Sequence, residues 1–366
     1  MAISPTRVLV IDDSVFMRNM LKSALGKDPG FEVLGSANDG QAGLEQIYAL
    51  KPDVITLDIE MPRLDGLGVL EQLMRKQPTP VVVVSTKTQK GAQTSLEALS
   101  RGAIACVAKP VLQKGATLEA FQTEVVHAVR AAAASNRRRL SWRPAGAASA
   151  AGAVARPKAI NVLGRLPSDA IVAIGISAGG PQTLREMLPR FPKIFPPVVI
   201  TQHMPNGFTA AFAERLMQTC NMSAKEAAEG DLVRGGQILI APGDQHLTFT
   251  GTTGNLRVKL SNGAKVSGFR PSADAMFDSL AGICPQKVVA VVMTGMGFDG
   301  AAGLKRLKQA GARTVAQDAE TSIVYGMPKA AAETGCVDRI VGVDQIPETI
   351  VELLSIPDRT PALSRR

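Results

Sequence analysis

The feature that most constrains the fold is an alternation of short apolar runs with amphipathic helical patterns. In residues 1–130 the helical patterns include Val15–Leu25 and Gly66–Arg75. The runs that predict strands are Val8–Asp13, Phe31–Ala37, Asp53–Asp58, Pro80–Ser85 and Ala105–Lys109. Because strands that alternate with helices form parallel sheets covered on both faces, we expect an α/β domain of (βα)5 type here.

The same alternation returns in residues 166–357. Its predicted strands are Ala170–Ile176, Val198–Gln202, Val288–Met293, Thr314–Gln317 and Arg339–Gly342. The stretch 237–260, with the segments QILIAPGDQHLTFT and LRVKL, predicts antiparallel hairpin strands instead. We therefore expect a doubly wound α/β domain with a mostly parallel sheet and an antiparallel hairpin.

Between these halves, residues 131–165 have the composition of a flexible linker. Nine of the twelve residues at 144–155 are Ala or Gly. The linker carries seven basic residues and no acid, and the predicted tail, 358–366, carries three basic residues and one acid. The formal net charge of +9 is therefore confined to these segments, and the two predicted domains together are about neutral. This argues against nucleic acid as a partner.

Composition and length limit the number of domains and the cellular location that we expect. The chain has 366 residues, of which 45% are apolar, and this suits two soluble domains. No apolar run approaches the ~18 residues of a membrane span, and no signal peptide is visible at the N-terminus. The four cysteines are scattered, as expected of free thiols. We expect a cytoplasmic protein without membrane insertion.

Chemically distinctive side chains stand at four strand ends of the first half. Asp12 and Asp13 follow the first strand, Asp58 the third, Ser85 ends the fourth and Lys109 the fifth. Strand ends of one parallel sheet converge at its carboxyl edge. Three carboxylates there suit Mg²⁺, and a lysine and a hydroxyl can hold phosphate oxygens. The set predicts transfer of a phosphoryl group onto a carboxylate.

In the second half, the sequence GISAGG at 175–180 follows a strand and opens a helix. Gly-x-Ser-x-Gly at such a turn lifts the Ser177 hydroxyl onto an exposed elbow. The N–H groups of Gly179 and Gly180 at the helix N-terminus suit a developing oxyanion. A glycine-rich turn of this kind can alternatively cradle a phosphate.

Two further strand ends supply partners for this serine. His203 ends one strand, while His127 lies in a helix that we expect at the surface. Asp299, after another strand, could orient the imidazole of His203 as in a catalytic triad. An alternative is a dinucleotide fingerprint, since 295–300 reads Gly-x-Gly-x-x-Gly and Asp318 follows at about the required distance. That alternative leaves Ser177 and His203 unexplained.

The first half resembles the receiver domain of two-component response regulators. The resemblance implies that Asp58 accepts the phosphoryl group, with the carboxylates of Asp12, Asp13 and Asp58 and the carbonyl of Glu60 serving Mg²⁺. It also implies that Lys109 pairs with the phosphate and that the Ser85 hydroxyl moves toward it. Receivers usually carry an aromatic residue three positions before the lysine, where this chain has Cys106.

The whole chain resembles the CheB family of chemotaxis methylesterases. The resemblance is carried by a receiver, a linker and the motifs GISAGG, TQHMP, APGDQH, FRPSAD and TGMGFDG. It implies hydrolysis of glutamate methyl esters on chemoreceptors with release of methanol, and often deamidation of glutamine. A chemotaxis-type histidine kinase would donate the phosphoryl group. The esterase step would need no cofactor.

The same resemblance assigns residues within the second half. Ser177, His203 and Asp299 take the triad positions, and the Met296 region contributes an oxyanion N–H. His246, Arg270 and Asp274 would line or brace the cleft. The family usually has Ser-Thr at the elbow, where this chain has Ser177-Ala178. A catalytically weak adaptor that docks on receptors is the alternative function.

Overall fold

The computed structural model describes residues 4–86, 88–110, 118–136, 160 and 166–356. The predicted linker lies largely outside the described residues, as does the predicted tail at 358–366. The division into domains at 131 and 166 therefore stays a prediction. Within the described ranges, no helix is both long and apolar enough to cross a membrane.

The N-terminal half is a five-stranded parallel sheet between helices, as predicted. Its strands are β1 (Thr6–Ile11), β2 (Phe31–Ala37), β3 (Val54–Leu57), β4 (Val81–Ser85) and β5 (Ala105–Ala108). Its helices are α1 (Val15–Gly26), α2 (Gly40–Leu50), α3 (Gly66–Lys76), α4 (Gln89–Ser100) and α5 (Leu118–Ala133). The strand order is β2-β1-β3-β4-β5. Every strand pair in this sheet is parallel.

Short polar side chains start the first four of these helices. The side chains of Ser14, Asp39, Asp65 and Thr88 each accept a backbone N–H from the first turn of the helix that follows. These caps satisfy amides that would otherwise lack a partner. Two or three residues separate the helices α1, α2 and α4 from the strands that precede them, whereas the longer loop 58–65 connects β3 to α3.

The C-terminal half holds a seven-stranded parallel sheet. Its strands are β6 (Ile171–Ile176), β7 (Val198–Gln202), β8 (Ser223–Glu226), β9 (Gln237–Ile240), β12 (Val288–Val292), β13 (Arg313–Gln317) and β14 (Arg339–Val341). Its helices are α6 (Gly180–Met187), α7 (Phe208–Thr219), α8 (Ala273–Ala281), α9 (Ala301–Gln309), α10 (Met327–Glu333) and α11 (Ile346–Ser355). The strand order is β14-β13-β12-β6-β7-β9-β8.

The antiparallel hairpin is present, but it is shorter than predicted. It consists of β10 (His246–Thr252) and β11 (Asn255–Ser261). The prediction was wrong for the start of the 237–260 stretch, because β9 pairs in parallel with β7 and β8. Three of the four β9 residues are buried, as in an interior parallel strand, so the short apolar run QILI belongs to the main sheet.

The order of strands in the larger sheet fixes where a site can form. From β6 the chain runs outward through β7 on one side and later returns to β12 on the other. Loops that leave β6 and β12 therefore diverge, and open α/β sheets bind ligands in the crevice at such a switch point. Ser177 follows β6 and the loop 294–300 follows β12.

The two halves pack closely against each other. One apolar cluster joins Ile104 and helix α5 of the first half with Ala178, Ile323 and Val324 of the second. At another point of the seam, Arg185 donates to the carbonyl of Ser100 at 3.4 Å and Arg215 donates to its hydroxyl at 3.3 Å. The N-terminal half therefore sits over the switch-point crevice of its neighbour.

Candidate active site

The acidic residues of the N-terminal half meet as the sequence predicts. Asp12, Asp13 and Asp58 each place a carboxylate oxygen within 4.8 Å of the others. Asp12 and Asp58 are buried and Asp13 is exposed. The Nζ of Lys109 lies 2.6 Å from Asp58 Oδ2 and 2.9 Å from Asp12 Oδ2. The three carboxylates form an oxygen-rich pocket with one side open to solvent.

Electrostatics in this pocket favour an additional cation. Burial raises the pKa of Asp58 to about 6, although the ammonium of Lys109 opposes the shift. Burial would lower the pKa of Lys109, but hydrogen bonds and charges from Asp58 and Asp12 outweigh it and raise that pKa. One ammonium thus serves two buried carboxylates. The donor set, all carboxylate oxygen, fits a hard divalent ion such as Mg²⁺.

Two further residues predicted for this pocket, Ser85 and Glu60, make backbone contacts near it. The buried Ser85 hydroxyl is directed to the carbonyl of Gly91 at 3.5 Å. Glu60 is exposed, and its amide donates to Asp58 Oδ1 at 3.4 Å. Cys106 lies on β5, where burial raises the pKa of its thiol to about 12 and keeps it neutral.

Ser177 occupies the turn between β6 and α6. Its amide donates to the carbonyl of Thr294 at 2.9 Å, and the Thr294 hydroxyl donates to the carbonyl of Ala178 at 2.9 Å. Gln202 at the end of β7 donates from Nε2 to the carbonyls of Ser177 and His203, at 3.0 Å each. The elbow is therefore tied to the ends of both neighbouring strands.

The predicted histidine and aspartate are in direct contact. His203 Nε2 lies 2.7 Å from Asp299 Oδ2. The other ring nitrogen, Nδ1, is buried and has no hydrogen-bond partner among the described residues. With Nε2 bound to the carboxylate, Nδ1 is the ring nitrogen that remains able to accept a proton. In this structure the hydroxyl of Ser177 makes no hydrogen bond to the described part of the chain.

Asp299 is held at the N-terminus of α8. Its Oδ1 accepts the Ser272 hydroxyl at 2.6 Å and the Asp274 amide at 3.1 Å, and its Oδ2 also accepts the Ala273 amide at 2.7 Å. Burial would raise the pKa of Asp299, but the hydrogen bond and charge of His203 and these donors lower it below the ordinary value. The carboxylate is thus fixed in its ionised form.

The amides predicted to bind an oxyanion differ in availability. The Gly180 amide donates to the carbonyl of Ser177 at 2.8 Å, and the Gly179 amide donates to Ile104 of the N-terminal half at 3.0 Å. Within the described ranges, the amides of Ala178 and Met296 donate to no protein acceptor. Ala178 and Met296 are therefore the two candidate donors for a developing oxyanion.

The three residues predicted to line or brace the cleft all contact one loop. His246 Nε2 lies 3.0 Å from the carbonyl of Ala264. Arg270 donates to the carbonyls of Asn262 and Gly263, at 2.9 Å each. Asp274 accepts the hydroxyl of Ser267 at 2.7 Å and the amide of Gly303 at 2.6 Å. These contacts brace the segment 262–270 beside His203.

The residues of the alternative dinucleotide fingerprint have other roles. The loop at 295–300 carries Asp299, which is bound to His203. The carboxylate of Asp318 accepts the amide and the hydroxyl of Thr321, at 2.8 and 2.6 Å. Asp318 is thus engaged in its own turn, and the geometry favours the serine, histidine and aspartate constellation.

Comparison with known proteins agrees with this geometry. Residues 8–121 match the response regulator receiver domain, and residues 172–350 match the CheB methylesterase domain. A protein-glutamate methylesterase/protein-glutamine glutaminase of Sulfurimonas denitrificans is 45% identical over 350 residues, which cover 95% of this chain and 98% of that protein. The chain belongs to the CheB methylesterase family. A Pyrococcus horikoshii protein of the same name is 42% identical, with 96% of this chain and 94% of that protein covered.

A solved structure resembles the esterase half. The CheB methylesterase catalytic domain of Thermotoga maritima is 42% identical, covers 50% of this chain and 98% of its own, and has a TM-score of 0.49. At the elbow, where the family usually has Ser-Thr, this chain has Ser177-Ala178. The Ala178 side chain is 7% exposed and packs in the apolar cluster that joins receiver and esterase.

Sequence reasoning missed several residues that organise the CheB site. Gln202 and Thr294 hold the elbow, and Ser272 holds Asp299. Phe269 stacks on the ring of His203, with centroids 3.9 Å apart and planes 7° apart. Phe269 and Ser272 stand in the motif FRPSAD and Gln202 stands in TQHMP, so their proximity to the predicted triad residues was the available signal.

Proposed function

We propose that this chain is a phosphorylation-regulated methylesterase that hydrolyses glutamate methyl esters on chemoreceptors, releases methanol and also deamidates receptor glutamines. The observation that carries the proposal is the buried contact between His203 and Asp299 beside the Ser177 elbow. Family membership supplies the substrate class. Because the methylated helices of chemoreceptors face the cytoplasm, we propose that the enzyme works there.

In the proposed reaction, the Ser177 hydroxyl attacks the ester carbonyl as its proton passes to His203 Nδ1. Asp299 keeps Nε2 protonated and stabilises the imidazolium cation that forms. The amides of Ala178 and Met296 hold the oxyanion, and loss of one such donor typically costs about 10²–10³ in rate. Methanol, or ammonia from glutamine, leaves with the proton from His203. Water then hydrolyses the acyl-enzyme.

In the receiver, we propose that Asp58 accepts a phosphoryl group from a chemotaxis-type histidine kinase. The carboxylates of Asp12, Asp13 and Asp58 and the carbonyl of Glu60 would hold Mg²⁺, which neutralises charge on the transferring phosphoryl group. Lys109 already contacts Asp58 and would pair with the phosphate. The Ser85 hydroxyl would turn from Gly91 toward it.

We further propose that the unphosphorylated receiver covers the esterase cleft. The Gly179 amide at the elbow donates a hydrogen bond to the carbonyl of Ile104 of the receiver, and Ala178 packs against the receiver. Ser177 itself is only 6% exposed, so a receptor helix would have no access to it in this arrangement. Phosphorylation would favour a state in which this seam is open.

The first test is methanol release from methylated receptor membranes by the full chain, with and without a phosphoryl donor. We expect release that rises when the donor is present. The adaptor alternative is distinguished here, because it predicts receptor binding with no methanol from either sample. Ammonia release from receptors with unmodified glutamines tests deamidation in the same assay.

Asp58→Asn is expected to abolish the increase in methanol release caused by the phosphoryl donor. The amide cannot accept a phosphoryl group, yet it retains the size of Asp58 in the buried pocket. Rates with and without donor should therefore coincide at the unphosphorylated wild-type value. Asp65→Asn, at the α3 cap of the same domain, is the control. A donor response that survives in Asp58→Asn would place the phosphorylation site elsewhere.

Arg185→Ala combined with Arg215→Ala is expected to raise methanol release without donor. The two arginines donate to Ser100 across the seam. Burial, and then repulsion from the charge of Arg215, lower the pKa of Arg185 below its ordinary value. At about 1 kcal/mol for each hydrogen bond, their loss shifts the docking equilibrium by roughly tenfold or more. Arg306→Ala, which removes an ion pair with Asp278 away from the seam, is the control. An unchanged basal rate would contradict the proposed cover.

A further inference from the structure

The imidazole of His203 is held on two sides. Asp299 binds its edge through Nε2 at 2.7 Å, and the ring of Phe269 lies flat against its face at a centroid distance of 3.9 Å. The side chain of His203 is only 8% exposed. An edge contact alone leaves the ring free to tilt about the hydrogen bond, whereas a stacked ring limits that tilt.

The segment that presents Phe269 is a tight turn. Val266 and Phe269 exchange two backbone hydrogen bonds, at 3.0 and 2.9 Å. Between them, Ser267 and Gly268 both adopt left-handed backbone conformations, with φ of 52° and 86°. A serine in this region costs roughly 1–2 kcal/mol, so surrounding contacts must hold the turn in place.

Hydrogen bonds hold the turn itself and the residues just before it. The Ser267 hydroxyl donates to Asp274, which is itself bound to the Gly303 amide at the start of α9. His246 and Arg270 bind carbonyls at 262–264, just before the turn. Asp274, in the first turn of α8, also donates its amide to Asp299 at 3.1 Å, so one helix end anchors both the carboxylate and the segment that carries Phe269. This arrangement fixes the distance between the two groups that hold His203.

We propose that Phe269 is a positioning residue, whose ring fixes the plane of the His203 imidazole so that Nε2 stays on Asp299 while Nδ1 remains available to Ser177. The proposal rests on the proposed esterase function. Its physical basis is that a proton acceptor must be held in a near-attack geometry, and that displacement by about 1 Å can cost 10²-fold in rate.

Phe269 also contacts the receiver, which suggests a competing role. His127 of α5 meets the Phe269 ring edge-on, with centroids 5.2 Å apart and planes at 71°. Burial, and then the charges of His203 and Arg130, lower the pKa of His127 below its ordinary value. If Phe269 serves only to dock the receiver, its removal should free the cleft and raise the basal rate. A positioning role predicts the opposite, a lower rate in both phosphorylation states.

The test compares full-length Phe269→Leu, Phe269→Tyr and the wild type in methanol release, with and without the phosphoryl donor. For Phe269→Leu we expect kcat to fall about 10- to 100-fold with and without donor, with KM within twofold and a displaced acid limb in the pH profile of kcat/KM. Phe269→Tyr, which keeps the flat ring, should retain kcat within about threefold. Phe249→Leu removes a buried phenylalanine of the hairpin that is 5% exposed and should keep wild-type kinetics.

The imidazole resonances of His203 measure its stacking on Phe269 independently of activity. The chain has three histidines, so His127→Gln and His246→Gln assign the imidazole resonances of His203. In a Ser177→Ala background, the Phe269 ring should shift these resonances upfield, and Phe269→Leu should remove that shift while Phe269→Tyr retains it.

Three outcomes would overturn the proposal. Phe269→Leu could release methanol at the wild-type kcat, it could raise only the rate without donor, or it could leave the His203 resonances unshifted from their wild-type positions. Absence of methanol release from the wild type would instead refute the esterase function. In that event the resonance shift alone decides whether Phe269 orders His203.

Discussion

Ser177→Ala is expected to reduce methanol release by about 10⁶-fold, the largest effect of any single substitution in this chain. Removal of a triad serine in a well-studied serine protease lowers kcat by about this factor. In the proposed mechanism the acyl-enzyme forms at this hydroxyl, and alanine offers no nucleophile in its place. The fold should be unaffected, since the backbone contacts of the elbow do not use the side chain. The measurement is kcat in the presence of donor.

The matched control is Ser279→Ala, which removes another serine hydroxyl of the same domain. Ser279 binds the backbone of Phe249, at 2.8 Å from its amide, and has no contact with the triad. We expect it to keep the wild-type kcat. Equal rates for Ser177→Ala and wild type would discard the proposed nucleophile, and a loss of thermal stability in Ser177→Ala would assign the residue a structural role.

The sequence was sufficient to predict which side chains meet in the two candidate sites, because parallel sheets bring strand ends together. Asp12 and Asp58 lie far apart in the sequence, yet each directly follows a buried strand, as do Ser177 and His203. The contact of His203 with Asp299 follows from the same rule applied to neighbouring loops. These predictions were possible because polar residues that follow parallel strands all lie at one edge of the sheet, where only a few loops meet.

Contacts between elements that are remote in sequence were beyond this reasoning. His127 was expected at the surface, but it is half-buried against Phe269, because the receiver packs on the esterase half. The stack of Phe269 on His203 depends on a turn whose shape is held by Asp274 and Gly303. Similarly, β9 was grouped with the hairpin, because the four residues QILI do not specify which sheet a strand joins.

Asp299→Asn is expected to lower kcat by about 10⁴-fold while the Ser177 elbow stays intact. An amide that donates to His203 would hold the wrong tautomer and could not stabilise the imidazolium cation. An amide placed the other way would remove the acceptor that Oδ1 now provides for the Ser272 hydroxyl and the Asp274 amide. Asp318→Asn, whose carboxylate is engaged by Thr321, is the control and should retain wild-type kcat.

The free energy of unfolding provides a second measurement for Asp299→Asn, and the direction of its change with pH can be predicted. Because hydrogen bonds lower the pKa of Asp299 below its ordinary value of 3.8, ionised Asp299 stabilises the folded state at neutral pH. That contribution is present above the unfolded-state pKa and is lost as the pH falls through the lower folded-state pKa. Asp299→Asn should therefore be less stable at pH 7 by about 1–3 kcal/mol, the cost of a buried donor left without a partner. The difference from wild type should narrow in acid, as urea unfolding at pH 7 and near pH 3 would measure. A constant difference across this range would mean that folding does not lower the pKa of Asp299, and a difference that widens in acid would mean that the folded protein holds Asp299 in its neutral form. Either result would contradict its role as the partner of the His203 cation.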